Sequence, residues 1–149
     1  MEHDKLEQIN LRLIRIWLKS NEAVYDQIVG DIKRHGLSVE NFMILELLYN
    51  KGPQTIQKIS ERLTIPSGSI TYVVNRLAKK DYVKREACPA DRRSSYVVLT
   101  DQGEALFQKI FPEHVELLNA LLEPLTSQEK ETLAELLKKL GYHAAQLRF

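Results

Sequence analysis

The 149-residue sequence is poor in cysteine, with Cys88 alone, and a single thiol closes no intrachain disulfide. Its four histidines, His3, His35, His114 and His143, are scattered without metal-ligand spacing, so neither a metal site nor a cofactor is expected. No window approaches the roughly 18 uncharged apolar residues that a membrane span requires, and the charged start (Glu2, Asp4, Glu7) lacks the apolar core of a signal peptide. A cytoplasmic chain without a membrane partner is expected. There is no Gly-rich phosphate loop, no local pairing of a nucleophile with a base, no internal repeat and no low-complexity segment, so nothing in the sequence points to an enzyme.

Net charge is also nearly absent, at +1, but its distribution is uneven. Residues 1–75 carry nine basic and nine acidic side chains. Residues 76–99 carry seven basic against three acidic, and residues 100–149 five against eight. A positive patch confined to one module is the electrostatic footprint of phosphate contact by that module alone.

Apolar residues Leu6, Ile9, Leu13, Ile16, Trp17, Val24, Ile28 and Ile32 recur at steps of three, four and seven, which predicts a long amphipathic helix over 4–35 that Gly36 stops. Ser38 caps a second, strongly apolar helix over 39–50, and Lys51-Gly52-Pro53 ends it. Thr55 then caps a short helix with Ile56, Ile59 and Leu63 inward, and Thr64-Ile65-Pro66 turns the chain into a helix opening at Ser67. That spacing is helix-turn-helix. Two β-rich runs follow, Tyr82–Ala87 and Ser95–Leu99, predicted as a hairpin whose connecting loop holds Pro89 and Asp91-Arg92-Arg93. Thr100 caps a helix over 101–111 that Pro112 kinks or restarts, and Thr126-Ser127-Gln128-Glu129 is a capping box for a last helix carrying Leu133, Leu136, Leu137, Leu140 and Leu147.

The expected fold is therefore mainly α (α+β): a winged helix-turn-helix over 37–100 with a two-stranded wing, flanked by dimerisation helices at 1–36 and 101–149. The terminal apolar stripes call for a symmetric homodimer. In the Ser67 helix, Ile70, Val74 and Leu77 share a packing stripe. Ser69, Tyr72, Asn75, Arg76 and Lys79 point the other way, as candidates for the major groove of double-stranded DNA. Ser67 opens an unobstructed helix N-terminus suited to a phosphate, with Thr71 as a backbone contact. The same residues also suit an ordinary solvated helix face. The arginine pair Arg92 and Arg93, next to Asp91, fits a narrow minor groove, and its position beside a helix-turn-helix favours that role over a solvated loop.

These residues resemble the MarR family of bacterial transcription regulators: Ser69-Ile70-Thr71 with Val74 and Leu77, then Asp81-Tyr82-Val83-Lys84-Arg85, then Asp91-Arg92-Arg93 with Val97, Leu99-Thr100 and Gly103. The resemblance implies that Arg93 enters the minor groove with Asp91 orienting it. It also implies a homodimer on a pseudo-palindromic operator, usually repressing, that is released by a small phenolic, aromatic or electrophilic ligand or by cysteine oxidation. The run from Ser67 to Val74 is similar to the quinone-responsive repressor branch.

Two departures stand out. Asp81 replaces the glycine common in the family after the reading helix, and aspartate tolerates the left-handed turn. Family peroxide sensors keep their cysteine near the first helix, whereas Cys88 lies by the wing among Arg85, Arg92 and Arg93, as a candidate redox thiol or an incidental one. Trp17, Tyr25 and His35 are candidates for a ligand pocket, or for core and interface. The alternative function is a winged-helix protein-protein interaction module without sequence-specific DNA binding.

Overall fold

The three-four spacing of the N-terminal segment produces α1 (Glu2–Arg34) in the structure, a computed structural model describing residues 1–148 and, of these, every side chain but that of Arg92. Gly36 ends it as expected, at φ +75°, with its N–H on Lys33 O at 3.0 Å and the Leu37 N–H on Ile32 O at 3.4 Å. That pair of bonds satisfies carbonyls that the last turn leaves free. Only the C-terminal end of α1 is buried in its own chain, through Asp31 and Ile32. Leu6, Ile9, Leu13, Ile16 and Val24 are exposed.

Ser38 Oγ accepts the Asn41 N–H at 3.2 Å and starts α2 (Val39–Lys51), the central helix of the core, where Phe42, Ile44, Leu45, Leu47 and Leu48 are all buried. Next come a two-residue strand, β1 (Gln54–Thr55), then α3 (Ile56–Leu63), started by Thr55 Oγ1 on the Lys58 N–H at 3.2 Å, then α4 (Ser67–Lys79). Thr64 makes the turn between these two helices in the left-handed region, at φ +54°. After α4, Asp81 adopts φ +62°; its N–H bonds Ala78 O at 3.0 Å and the Tyr82 N–H bonds Leu77 O at 3.0 Å. The aspartate therefore does occupy the glycine-like position.

The wing is β2 (Val83–Cys88) and β3 (Asp91–Leu99), antiparallel, with β1 on the far side of β3 in the order β1-β3-β2. Two features differ from the sequence reading. β1 is a third strand, too short to leave a period-two pattern, and it exists because Gln54 and Thr55 meet Val97 and Tyr96 on β3. The strands also reach further toward the tip: Cys88 pairs with Asp91, so only Pro89 and Ala90 connect them, and Asp91 and Arg93 belong to β3 rather than to a loop. Ala87 pairs with Ser95, so residues 92–94 face no partner and form a bulge. Of the two alternatives at Pro112, a new helix is not what forms: α5 (Asp101–Leu122) runs through it with one ladder donor missing.

Thr100 ties the wing base to α5. Its Oγ1 accepts the Gly103 N–H at 3.0 Å and donates to Asp81 O, and its N–H reaches Tyr82 O at 3.1 Å. Phe107 and Ile110 on α5 close the core, with the Phe107 ring 5.4 Å from Phe42 and 5.1 Å from Tyr49.

Residues 1–114 form one compact unit and residues 115–149 a second, which contains the end of α5 and α6 (Ser127–Gln146). The capping box is formed: Glu129 N–H to Thr126 Oγ1 at 3.1 Å, and Thr126 N–H to Glu129 Oε1 at 3.0 Å. The helix buries no residue, and Leu133, Leu136, Leu137 and Leu140 of its expected stripe lie open, while Leu147 falls outside the helix as its extended C-cap.

Candidate nucleic-acid interface

Helix α4 has the two faces its spacing predicts. Ile70, Val74 and Leu77 are completely buried, while Ser67, Ser69, Tyr72, Asn75, Arg76 and Lys79 are exposed and Thr71 half-buried. Its N-cap is Pro66, which has no side-chain acceptor to offer, so no side chain caps the first turn. Those N–H groups and the positive end of the helix dipole stay available to an anion. Thr71 Oγ1 bonds back to Ser67 O at 3.0 Å, which leaves its hydroxyl oxygen as an acceptor.

Tyr72 is 63% exposed and carries the Arg76 guanidinium over its ring, Cζ to centroid 5.7 Å. The ring thereby attracts and restrains the cation. A cleft of about 500 Å³ opens beside this row, between Ser38 and Asn41 at the start of α2 and Ser69, Tyr72 and Arg76 on α4.

The wing carries a second exposed set. Asp91 Oδ1 accepts the Arg93 backbone N–H at 2.9 Å, and Asp91 Oδ2 accepts from Ser94 Oγ at 3.4 Å. Asp91 thus shapes the bulge through the backbone of Arg93, leaving that residue exposed. The expectation for Arg92 falls on a side chain outside those described.

Sequence reasoning passed over Arg85. From β2 its Nη2 donates to Asn75 Oδ1 on α4 at 3.0 Å, linking wing and helix.

Cys88 is 9% exposed. Hydrogen bonding with the Tyr96 side chain, foremost, and with the backbone of Ala90 and Asp91 holds its thiol below the ordinary value, against the opposing effects of burial and the Asp91 charge. Tyr96 is pushed up by the same partner.

The ligand candidates do not converge within one chain. Trp17 is half-buried and Tyr25 exposed on α1, and at ~1.5 Å per residue Trp17 stands ~27 Å from His35. His35 caps α1 and sits in a polar knot that the sequence reading missed. Its Nε2 lies 3.4 Å from Glu113 Oε2 and 3.7 Å from Asp31 Oδ1, yet it makes no hydrogen bond. The buried Asp31 also bonds His114 Nδ1 at 3.1 Å and Arg34 Nη2 at 3.1 Å. Asp31 and His35 share a face at helical spacing, a signal present in the sequence, whereas His114 comes from 83 residues away and left none. Among the described residues no group of three or more His, Cys, Asp or Glu is arranged to hold a metal ion, and no helix is long and apolar enough to cross a membrane.

Compared with known proteins, residues 37–95 match the model of the MarR family. The chain is 36% identical over 137 residues to the HTH-type transcriptional regulator MhqR of Bacillus subtilis, covering 92% of this chain and 94% of that one. Among solved structures, a variant of E. coli MarR complexed with operator DNA superposes with a TM-score of 0.73 at 26% identity, covering 87% of this chain and 93% of that one. NadR in complex with 4-hydroxyphenylacetate superposes with a TM-score of 0.73 at 28% identity, covering 89% and 91%.

Proposed function

The chain belongs to the MarR family of transcriptional regulators, and from that premise we propose that it is a cytoplasmic homodimeric repressor of a pseudo-palindromic operator, released by a small phenolic, aromatic or electrophilic ligand. The observation that carries the DNA reading is the joint geometry of α4 and the wing. An exposed row of Ser69, Tyr72, Asn75 and Arg76 runs from a helix N-terminus without a side-chain cap, with Arg93 exposed on the adjacent bulge. The row has the dimensions and chemistry for a major groove, and the bulge for the minor groove beside it.

Dimerisation through segments 1–36 and 101–149 is supported by two unpartnered apolar faces: Leu6 to Val24 on α1, and the whole stripe of α6, which buries nothing in its own chain. A second copy related by a two-fold axis would cover both and present two α4 helices to two half-sites. Residues 37–100 would then be the DNA-binding segment.

The deciding measurement is operator binding by Arg93→Ala, expected to weaken by about 1–3 kcal/mol with the dimer unchanged in sedimentation. Unaltered affinity at physiological salt would remove the wing from the interface. A protein-binding winged helix would lack the steep loss of DNA affinity with rising salt that phosphate contacts impose.

The ligand reading centres on His35, whose buried Nε2 lies near the carboxylates of Glu113 and Asp31 without a hydrogen bond, and the 4-hydroxyphenylacetate complex of NadR supports the phenolic class. Phenols or quinones that release DNA from the wild type should fail to do so with His35→Ala. Cys88→Ser tests the redox route separately: oxidant-induced release that persists in this variant excludes the thiol.

A further inference from the structure

We propose that Arg85 fixes the orientation of Asn75, so that Asn75 reads an acceptor-bearing base edge, guanine O6 and N7 above all, and discriminates against adenine. This rests on the DNA-binding reading and names what one residue of that interface recognises.

Asparagine on a reading helix ordinarily suits adenine, because its carboxamide offers one acceptor for the N6 amino group and one donor for N7. Which base it selects therefore depends on how the carboxamide is turned. Here the turn is imposed from the wing. Arg85 lies on the same face of β2 as Val83, which is buried against the core, so its side chain leaves the strand on the side that packs toward α4. Its backbone is fixed in the ladder opposite Val97. From there Nη2 reaches Asn75 Oδ1 at 3.0 Å.

A guanidinium has only donors and stays charged at every relevant pH, so it accepts no other arrangement: the carbonyl oxygen must face Arg85 and the amino group must face away. Asn75 then presents two N–H donors to the groove, with its acceptor turned to the wing. Guanine, which shows two neighbouring acceptors and no donor along that part of its edge, is complementary, whereas adenine N6 sets a donor against a donor. Thymine O4 can satisfy one of the two N–H groups. Reversing the preference would require Asn75 to rotate about its side chain and give up a charge-assisted bond.

Lys84 provides an internal control. It precedes Arg85, points to the opposite face of β2, pairs with Glu86 at 3.4 Å and carries the same charge. Arg85 and Lys84 are both exposed, so replacing either should leave the fold intact.

The test is a binding selection on randomised half-sites, followed by affinities for all four bases at each position. The proteins are the wild type, Asn75→Ala, Arg85→Ala and Lys84→Ala. The position read by Asn75 is the one whose preference Asn75→Ala erases. The expected result is guanine over adenine there by about 10-fold in the wild type, the scale of one good base contact. Arg85→Ala should collapse or invert that ratio at this position alone, and Lys84→Ala should weaken all sequences alike. Adenine preferred at that position by the wild type overturns the proposal. So does an Arg85→Ala variant that loses affinity evenly over all bases, since Arg85 would then be only a phosphate contact. A wild type that binds DNA with no sequence preference would refute the DNA reading itself, and this inference with it.

Discussion

Gly103→Ala is a substitution in which two effects of opposite sign compete. In a helix, alanine is favoured over glycine by about 1 kcal/mol, so propensity alone predicts a more stable protein. A Cβ at this position, however, would overlap the carbonyl oxygen of Tyr82, with Tyr82's carbonyl carbon at 2.9 Å and its Cα at 3.1 Å. All three are backbone atoms at the start of the wing and cannot rotate aside. Relief requires α5 to move away from Tyr82. That movement strains the two bonds that tie Thr100 to the wing base, its N–H to Tyr82 O at 3.1 Å and its Oγ1 to Asp81 O. Two weakened hydrogen bonds at about 1 kcal/mol each, and overpacking at about 1–3, outweigh the propensity gain and leave a net loss of about 2–4 kcal/mol. The melting temperature should fall by roughly 5–15 °C, measured by circular dichroism at one fixed protein concentration because association contributes. Gly68→Ala is the control: its added Cβ meets nothing within 4 Å, and it should be neutral to slightly stabilising. A Gly103→Ala protein as stable as the wild type would refute the claim that α5 is seated directly on the wing backbone.

Asp81→Gly should stabilise the free protein by about 1 kcal/mol in urea titration, since a non-glycine residue is held at φ +62°. His114→Ala removes the buried partner of Asp31 and the ring 4.6 Å from Phe42. With Arg34 still bonded to Asp31, the expected loss is about 2–4 kcal/mol, and a loss below about 1 would show that the knot contributes little. Hydrogen bonding to the Thr126 backbone lowers the Glu129 pKa, so its contribution to stability is complete above the pKa of an unfolded glutamate and disappears as pH falls through the lower folded value. Glu129→Gln should lack that part of the acid dependence when melting curves are compared between neutral and acidic pH.

The parts of this fold that could be read in the sequence are those whose cause is local. Gly36, Ser38, Thr55, Thr100 and the Thr126–Glu129 pair act on N–H groups or carbonyls a few residues away, and each ends or starts a helix where its spacing says it should. The packing stripe of α4 is legible for the same reason, being a matter of helical periodicity. What escaped depends on chain segments that meet only after folding. The bulge at residues 92–94 is a property of pairing with β2, and a short pair such as Gln54-Thr55 becomes a strand only because β3 passes beside it. The bond from Arg85 to Asn75 needs the wing to fold back on α4, and the bond from Asp31 to His114 joins the end of α1 to the middle of α5. Arg85 was visible as positive charge, but a charge count cannot say which neighbour it orients.

The knot around Thr100 has a mechanical consequence. Because Gly103 is pressed on Tyr82 and Thr100 bonds both Tyr82 and Asp81, the wing and α5 share one fulcrum. From Leu99 to Arg93 the strand extends ~20 Å beyond that fulcrum, at ~3.3 Å per residue. A tilt of about 10° between α5 and the DNA would sweep Arg93 through ~3.5 Å, more than the length of a hydrogen bond. On the DNA-binding reading proposed above, the wing would act as a lever arm, turning small angular changes of α5 into a displacement large enough to seat or unseat Arg93.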